Sequence, residues 1–105
     1  MIKKYNKLVR DKIPKIIEEN GQMCEIEILS DERYLEMLEL KLTEECTEYQ
    51  IDKDPEELAD ILEVIYAIAN ARGLTDGELD RIRLAKANKN GRFKDKIYIK
   101  EVTEW

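Results

Sequence analysis

The stretch that most constrains this chain is Asp52-Lys53-Asp54-Pro55, a turn set between two long segments of helical periodicity. Upstream, Leu35, Leu38, Leu42, Cys46 and Tyr49 recur at steps of 3, 4, 4 and 3, one narrow apolar stripe on a helix from about Asp31 to Tyr49. Downstream, Pro55 opens a second long helix that Gly73 closes after about Arg72. Its buried arc is expected to be Leu58, Ile61, Leu62, Ile65, Ile68 and Ala69. A connection of roughly five or six residues packs such helices antiparallel. At 105 residues the whole chain, 1–105, reads as one domain with a modest core.

The remaining elements are placed by their punctuation. Pro14 and Gly21 bracket a short helix, and Ser30 caps the first long one. Thr75-Asp76-Gly77-Glu78 is a capping box for a helix reaching about Asn88, followed by an Asn90-Gly91 turn. Cys24–Leu29 and Lys96–Val102 alternate with period two, and are expected to pair as a small β ribbon. The predicted fold is mainly α: a helical bundle with a ribbon from residues near 24–29 and 96–102.

Composition removes several functions. The chain has no histidine, which excludes His-based acid–base catalysis and nearly all zinc sites. A net charge of −6 argues against a nucleic acid polymer as partner, although small phosphorylated ligands remain open if a metal offsets the acids. No apolar run is long enough to span a membrane and the N-terminus lacks an apolar signal region, so a cytoplasmic protein without a membrane partner is expected. Cys24 and Cys46 form no CxxC pair and are expected to be reduced core residues.

The two long helices carry acids at helical spacing, Glu44-Glu45-x-x-Glu48 and Glu57-x-x-Asp60. Carboxylates three apart are neighbours on a helix surface, so each cluster can grip one cation. At about 100° per residue, Glu45 lies about 20° from Leu38, Glu48 about 60° further round with Lys41 between them, and Glu44 on the polar side. Glu57 falls inside the buried arc between the directions of Val64 and Ile68, and Asp60 flanks it. A carboxylate on an apolar face is costly unless paired, protonated or metal-bound, and two facing carboxylates both stay ionised only around a cation. The oxygen-only set Glu45, Glu48, Glu57 and Asp60 suits Mg²⁺, or Mn²⁺, better than zinc. Plainer roles stay open: Lys41 can pair with Glu45 at i,i+4, and Asp54 with Glu57 can form a helix cap.

The acidic pattern resembles that of the all-α nucleotide pyrophosphohydrolase superfamily, which includes MazG-like proteins, dimeric dUTPases and phosphoribosyl-ATP pyrophosphohydrolase. Two further segments, Tyr5 through Pro14 and Lys86 through Phe93, resemble one MazG-like, phosphoribosyl-ATP pyrophosphohydrolase-like branch, with Glu57 through Val64 between them. The chain departs from it in a short spacer of eight residues between Glu48 and Glu57, and in Asn90-Gly91-Arg92-Phe93, where close relatives have a double glycine.

The resemblance implies a MazG-like bundle that cleaves the α–β phosphoanhydride of a nucleoside triphosphate or phosphoribosyl-ATP-like nucleotide with Mg²⁺, releasing pyrophosphate and the monophosphate. It implies Glu45, Glu48, Glu57 and Asp60 as metal ligands, with Glu45 or Glu48 orienting the attacking water. Lys7, Arg10, Lys86, Asn88 and Arg92 become candidate phosphate-binding residues; by themselves the basic ones are equally a solvated surface. Tyr and Trp rings can stack on a base, although Tyr49 and Tyr66 fit the core. Members are dimers or tetramers that build sites from two chains, so a homodimer or homotetramer is expected. The alternative is a non-catalytic helical module that mediates assembly or binds a nucleotide without turnover.

Overall fold

The structure, a computed structural model, describes residues 2–104 and contains four helices: α1 (Ile13–Glu19), α2 (Asp31–Asp52), α3 (Pro55–Ala71) and α4 (Asp76–Asn90). Met1, at the N-terminus that the sequence reads as lacking an apolar signal region, lies outside the described residues, as does Trp105, one of the rings considered for base stacking.

Each long helix starts where a side chain can satisfy its free amides. The Ser30 hydroxyl accepts from the Arg33 amide at 3.2 Å, and the Asp54 carboxylate from the Glu56 amide at 3.0 Å. Thr75 and Glu78 complete a reciprocal box: the hydroxyl accepts from the Glu78 amide at 3.1 Å, and the Glu78 carboxylate from the Thr75 amide at 3.2 Å. At the end of α3, Gly73 adopts φ +88°, and its amide donates to the Asn70 carbonyl while that of Leu74 donates to Ala69. This left-handed step ends the helix with its last carbonyls satisfied. The Asn70 amide group then bonds the Leu74 carbonyl at 2.9 Å and the Asp76 carboxylate at 3.1 Å, tying α3 to the start of α4.

The link between α2 and α3 is shorter than expected. Lys53 takes a left-handed conformation, φ 57°, with its amide on the Tyr49 carbonyl, so α2 continues to Asp52 and only Lys53 and Asp54 separate the helices. The antiparallel pairing of α2 with α3 holds the core, and α4 packs on α3 alone. Leu38, Val64 and Ala69 are the buried apolar residues among those described, while α1 and α4 bury none.

Four further expectations require correction. The buried seam of α2 turns toward Glu45: Leu38 and Glu45 are buried, and Cys46 is exposed. Leu35, Leu38, Leu42, Glu45 and Tyr49 give alternating steps of 3 and 4, the spacing that keeps contact with one neighbouring helix. Both cysteines are free thiols and neither is a buried core residue. On α3 the predicted arc is too wide for one partner, and Leu58 and Leu62 each remain 50% exposed.

The fourth correction concerns the ribbon. No strand occurs among the described residues, and no backbone hydrogen bond joins 24–29 to 96–102. A lone two-stranded ribbon is marginal in water without a layer beneath it. Here Ile26, Ile28, Ile97 and Ile99 have none and stand exposed. No described helix is long and apolar enough to cross a membrane.

The chain is also open. Its accessible surface of 10097 Å² compares with about 6,100 Å² for a compact monomer of this mass. Its radius of gyration is 18.8 Å, against about 13 Å for a compact chain of this length.

Replacing Thr75 by Ala removes the hydroxyl half of the box and lowers stability by about 1 kcal/mol, read as a shift of the urea midpoint at constant slope.

Candidate metal centre

Antiparallel packing across a two-residue link sets the last third of α2 against the first turns of α3. Glu45, on the α2 seam, thereby meets Glu57, the third residue of α3, with Asp60 one turn further on. These three residues each offer a carboxylate oxygen, and the three atoms lie within 4.8 Å of one another.

Burial makes the cluster unusual. The Glu45 side chain is only 9% exposed, and its sole ion-pair partner among the described residues is Lys41, whose ammonium lies 3.6 Å from Oε1. The plain i,i+4 pairing is therefore present, yet it engages one oxygen of two. Glu45 Oε2 and Glu57 Oε2 are both enclosed without a hydrogen-bond partner. Enclosed acceptors of this kind lose water without replacement, a cost of roughly 1–3 kcal/mol each and more when charged.

Glu57 makes the point a second way. Asp54 caps the helix as the plain reading has it, accepting from Glu56, but the reciprocal bond from the Glu57 carboxylate is absent among the described residues; the Glu57 amide bonds the Asp54 carbonyl at 3.0 Å, and its carboxylate turns inward.

The electrostatics follow from this burial. Desolvation, and next the negative charge of Glu48, push the Glu45 carboxyl up from its ordinary range. The same two causes raise Glu57 to about 7. Glu48 thus stands close enough to both to act on them, though outside the trio of converging oxygens.

Two basic residues of the N-terminal segment reach the cluster across long stretches of sequence. Arg10 donates to Asp60 Oδ1 at 2.6 Å, and Lys7 donates to Glu44 Oε1 at 2.9 Å. The bond from Lys7 holds the Glu44 carboxyl below its ordinary range and raises the Lys7 ammonium. Glu44, which faces the polar side of α2, is thereby covered by the segment that precedes α1. The only sequence signal for this contact is a run of basic residues at 3–12 in a chain whose helices carry acids. Lys86 and Asn88, near the end of α4, and Arg92 just beyond it are exposed, and none has a side-chain hydrogen bond or ion pair among the described residues.

The donor set fits a hard divalent cation. Two inward oxygens lack partners, while the Asp60 side chain is 38% exposed and leaves the group open to solvent. Three carboxylates with water at the remaining positions is the kind of shell Mg²⁺ accepts.

No family model, curated protein or solved structure matches this chain. The chemistry of the site therefore rests on its own geometry.

Two measurements address the cluster. In the folded protein Glu57 holds its proton to about pH 7, against an ordinary value of 4.5, so between those values the folded state binds more protons than the unfolded one. Stability without metal then falls as pH rises through that window and levels off above it. Glu57→Gln flattens the fall, and saturating Mg²⁺ removes it, both read from urea midpoints between about pH 5 and 8. Arg10→Gln takes a positive charge off Asp60 and tightens Mn²⁺ binding several-fold, measured by calorimetry or by the resonance of free Mn²⁺; unchanged affinity would show that the ion pair does not compete with metal.

Proposed function

We propose that this chain is a Mg²⁺-dependent nucleotide pyrophosphohydrolase, cleaving the α–β phosphoanhydride of a nucleoside triphosphate or phosphoribosyl-ATP-like nucleotide to the monophosphate and pyrophosphate. The observation that carries the reading is the convergence of Glu45, Glu57 and Asp60 within 4.8 Å, with one oxygen each of Glu45 and Glu57 enclosed and unpartnered. An arrangement so costly without a cation fits a chain that works with one bound.

A bound Mg²⁺ or Mn²⁺ supplies positive charge to the phosphates and makes nearby water more acidic. The residues of the chain do the rest. Glu45, Glu57 and Asp60 hold the cation's place. Glu48, beside the trio, orients a water toward the α-phosphorus and takes its proton as the new P–O bond forms. The bond to the bridging oxygen breaks, and pyrophosphate departs. Lys7 and Arg10, already at the rim on Glu44 and Asp60, can exchange a carboxylate for a phosphate oxygen. Their placement supports the MazG-like reading of Tyr5 through Pro14.

In this reading the working unit is a homodimer or homotetramer. Support comes from the surface, about 4,000 Å² larger than that of a compact monomer, and from the half-exposed Leu58 and Leu62 on α3. A second copy would also bring Lys86, Asn88 and Arg92 to the phosphates, residues whose side chains pair with none of the described residues of their own chain.

The test is pyrophosphate release from a panel of nucleotides with Mg²⁺. Glu48→Gln and Asp60→Asn are expected to lose roughly a hundredfold or more, the scale on which ligand-shell changes act. Equal rates in wild type and both variants would overturn the assignment. Mn²⁺ binding with no release from any nucleotide would favour the non-catalytic module.

A further inference from the structure

Cys24–Leu29 and Lys96–Val102 both carry the alternation of a half-buried strand, yet neither forms a ladder with any of the described residues. Their apolar residues stand in solvent: Ile28 is 88% exposed, Ile97 81% and Ile99 71%. Exposed unpaired segments of this composition are templates for another chain.

The two segments complement each other in one antiparallel register. With Ile26 opposite Ile99, Ile28 falls opposite Ile97, so one face carries two isoleucine pairs. On the other face Glu25 lies opposite Lys100, and Glu27 faces Tyr98 with Lys96 and Lys100 on its diagonals. A slip of one residue sets Glu25 and Glu27 against Ile99 and Ile97 and loses both matches. Slips of two residues keep only one isoleucine pair. An antiparallel ladder is also the more stable choice for an isolated pair.

The segments do not meet in one copy, where no backbone hydrogen bond joins them. Residues 24–29 lead into the start of α2, and the antiparallel hairpin brings the start of α4 toward that same end. The 15 residues of α4 then carry Gly91 about 22 Å away. The long axis of the chain, 67 Å, is about twice the 33 Å of α2, so segments project beyond the helical hairpin.

We propose that residues 96–102 of one copy pair antiparallel with residues 24–29 of a second copy, and that the exchange is reciprocal, so that two ribbons close a two-fold dimer. The proposal rests on the self-association described above and names the segments that carry it. Two-fold exchange uses the same surface on both subunits and leaves neither segment unpaired. The surface in excess of a compact monomer, about 4,000 Å² per chain, exceeds the roughly 800 Å² per partner that a stable interface needs.

Disulfide trapping decides the matter. In a Cys24→Ser, Cys46→Ser background, Ile26→Cys and Ile99→Cys are placed on separate chains, mixed and mildly oxidised. Cross-strand Cα distances in a ladder fall within disulfide reach, so a covalent heterodimer is expected, identified by mass. Glu25→Cys with Lys100→Cys serves as a second pair of the other ladder type, in case the first perturbs folding. Light scattering on the wild type accompanies both. A dimeric wild type with no mixed disulfide from either pair would overturn the ribbon while leaving self-association intact. So would a double variant that closes its disulfide within one chain. A monomeric wild type would overturn both.

Discussion

The packing of α2 against α3 across two residues is the constraint on which everything else depends. With only Lys53 and Asp54 between them, the helices cannot slide far, so the level at which Glu45 meets Glu57 is set by chain geometry. Leu38, Val64 and Ala69 hold the pair together from the apolar side. The same closeness that buries these side chains also encloses one oxygen of each acid. Hydrophobic contact and electrostatic penalty are thus two results of one seam.

Around that seam the chain arranges positive charge at increasing distance. Lys41 sits on the same helix and touches one oxygen of Glu45 at 3.6 Å, a long contact that leaves the second oxygen untouched. Arg10 and Lys7 come from outside and take the outer carboxylates, Asp60 and Glu44. Exposed ion pairs of this kind contribute little stability singly, roughly 0–1 kcal/mol. They do position an otherwise helix-free segment across the mouth of the acidic group. The two inward oxygens, Glu45 Oε2 and Glu57 Oε2, by contrast, receive no hydrogen bond from any described residue.

Much of this was legible in the sequence, and what was legible was local. Ser30, Asp54 and Thr75 mark helix starts because each side chain bonds an amide two or three residues away. Gly73 marks an end because φ +88° suits it better than other residues. The wheel placed Glu45, Glu57 and Asp60 on or beside buried faces, as found.

What failed required a partner. Whether Cys46 or Glu45 completes the α2 seam depends on the direction from which α3 approaches, which no single-helix pattern contains. Lys7 meets Glu44 across 37 positions, without periodicity to announce it. The strand-like alternation at 24–29 and 96–102 is real in sequence, but alternation predicts pairing only where a neighbour and a covering layer exist.

Asn70 bears on how the molecule transmits force. Its amide group holds both the Leu74 carbonyl and the Asp76 carboxylate, at the corner where α3 gives way to α4. A helix fixed at its base by such a clamp behaves as a stiff lever: its direction is set at the corner, and its far end follows. Lys86 and Asn88 ride that far end and Arg92 lies just past it, so the direction set at the corner fixes where all three stand. Their reach is therefore governed by a neutral amide 16 to 22 residues away in sequence, itself remote from any charge they would meet.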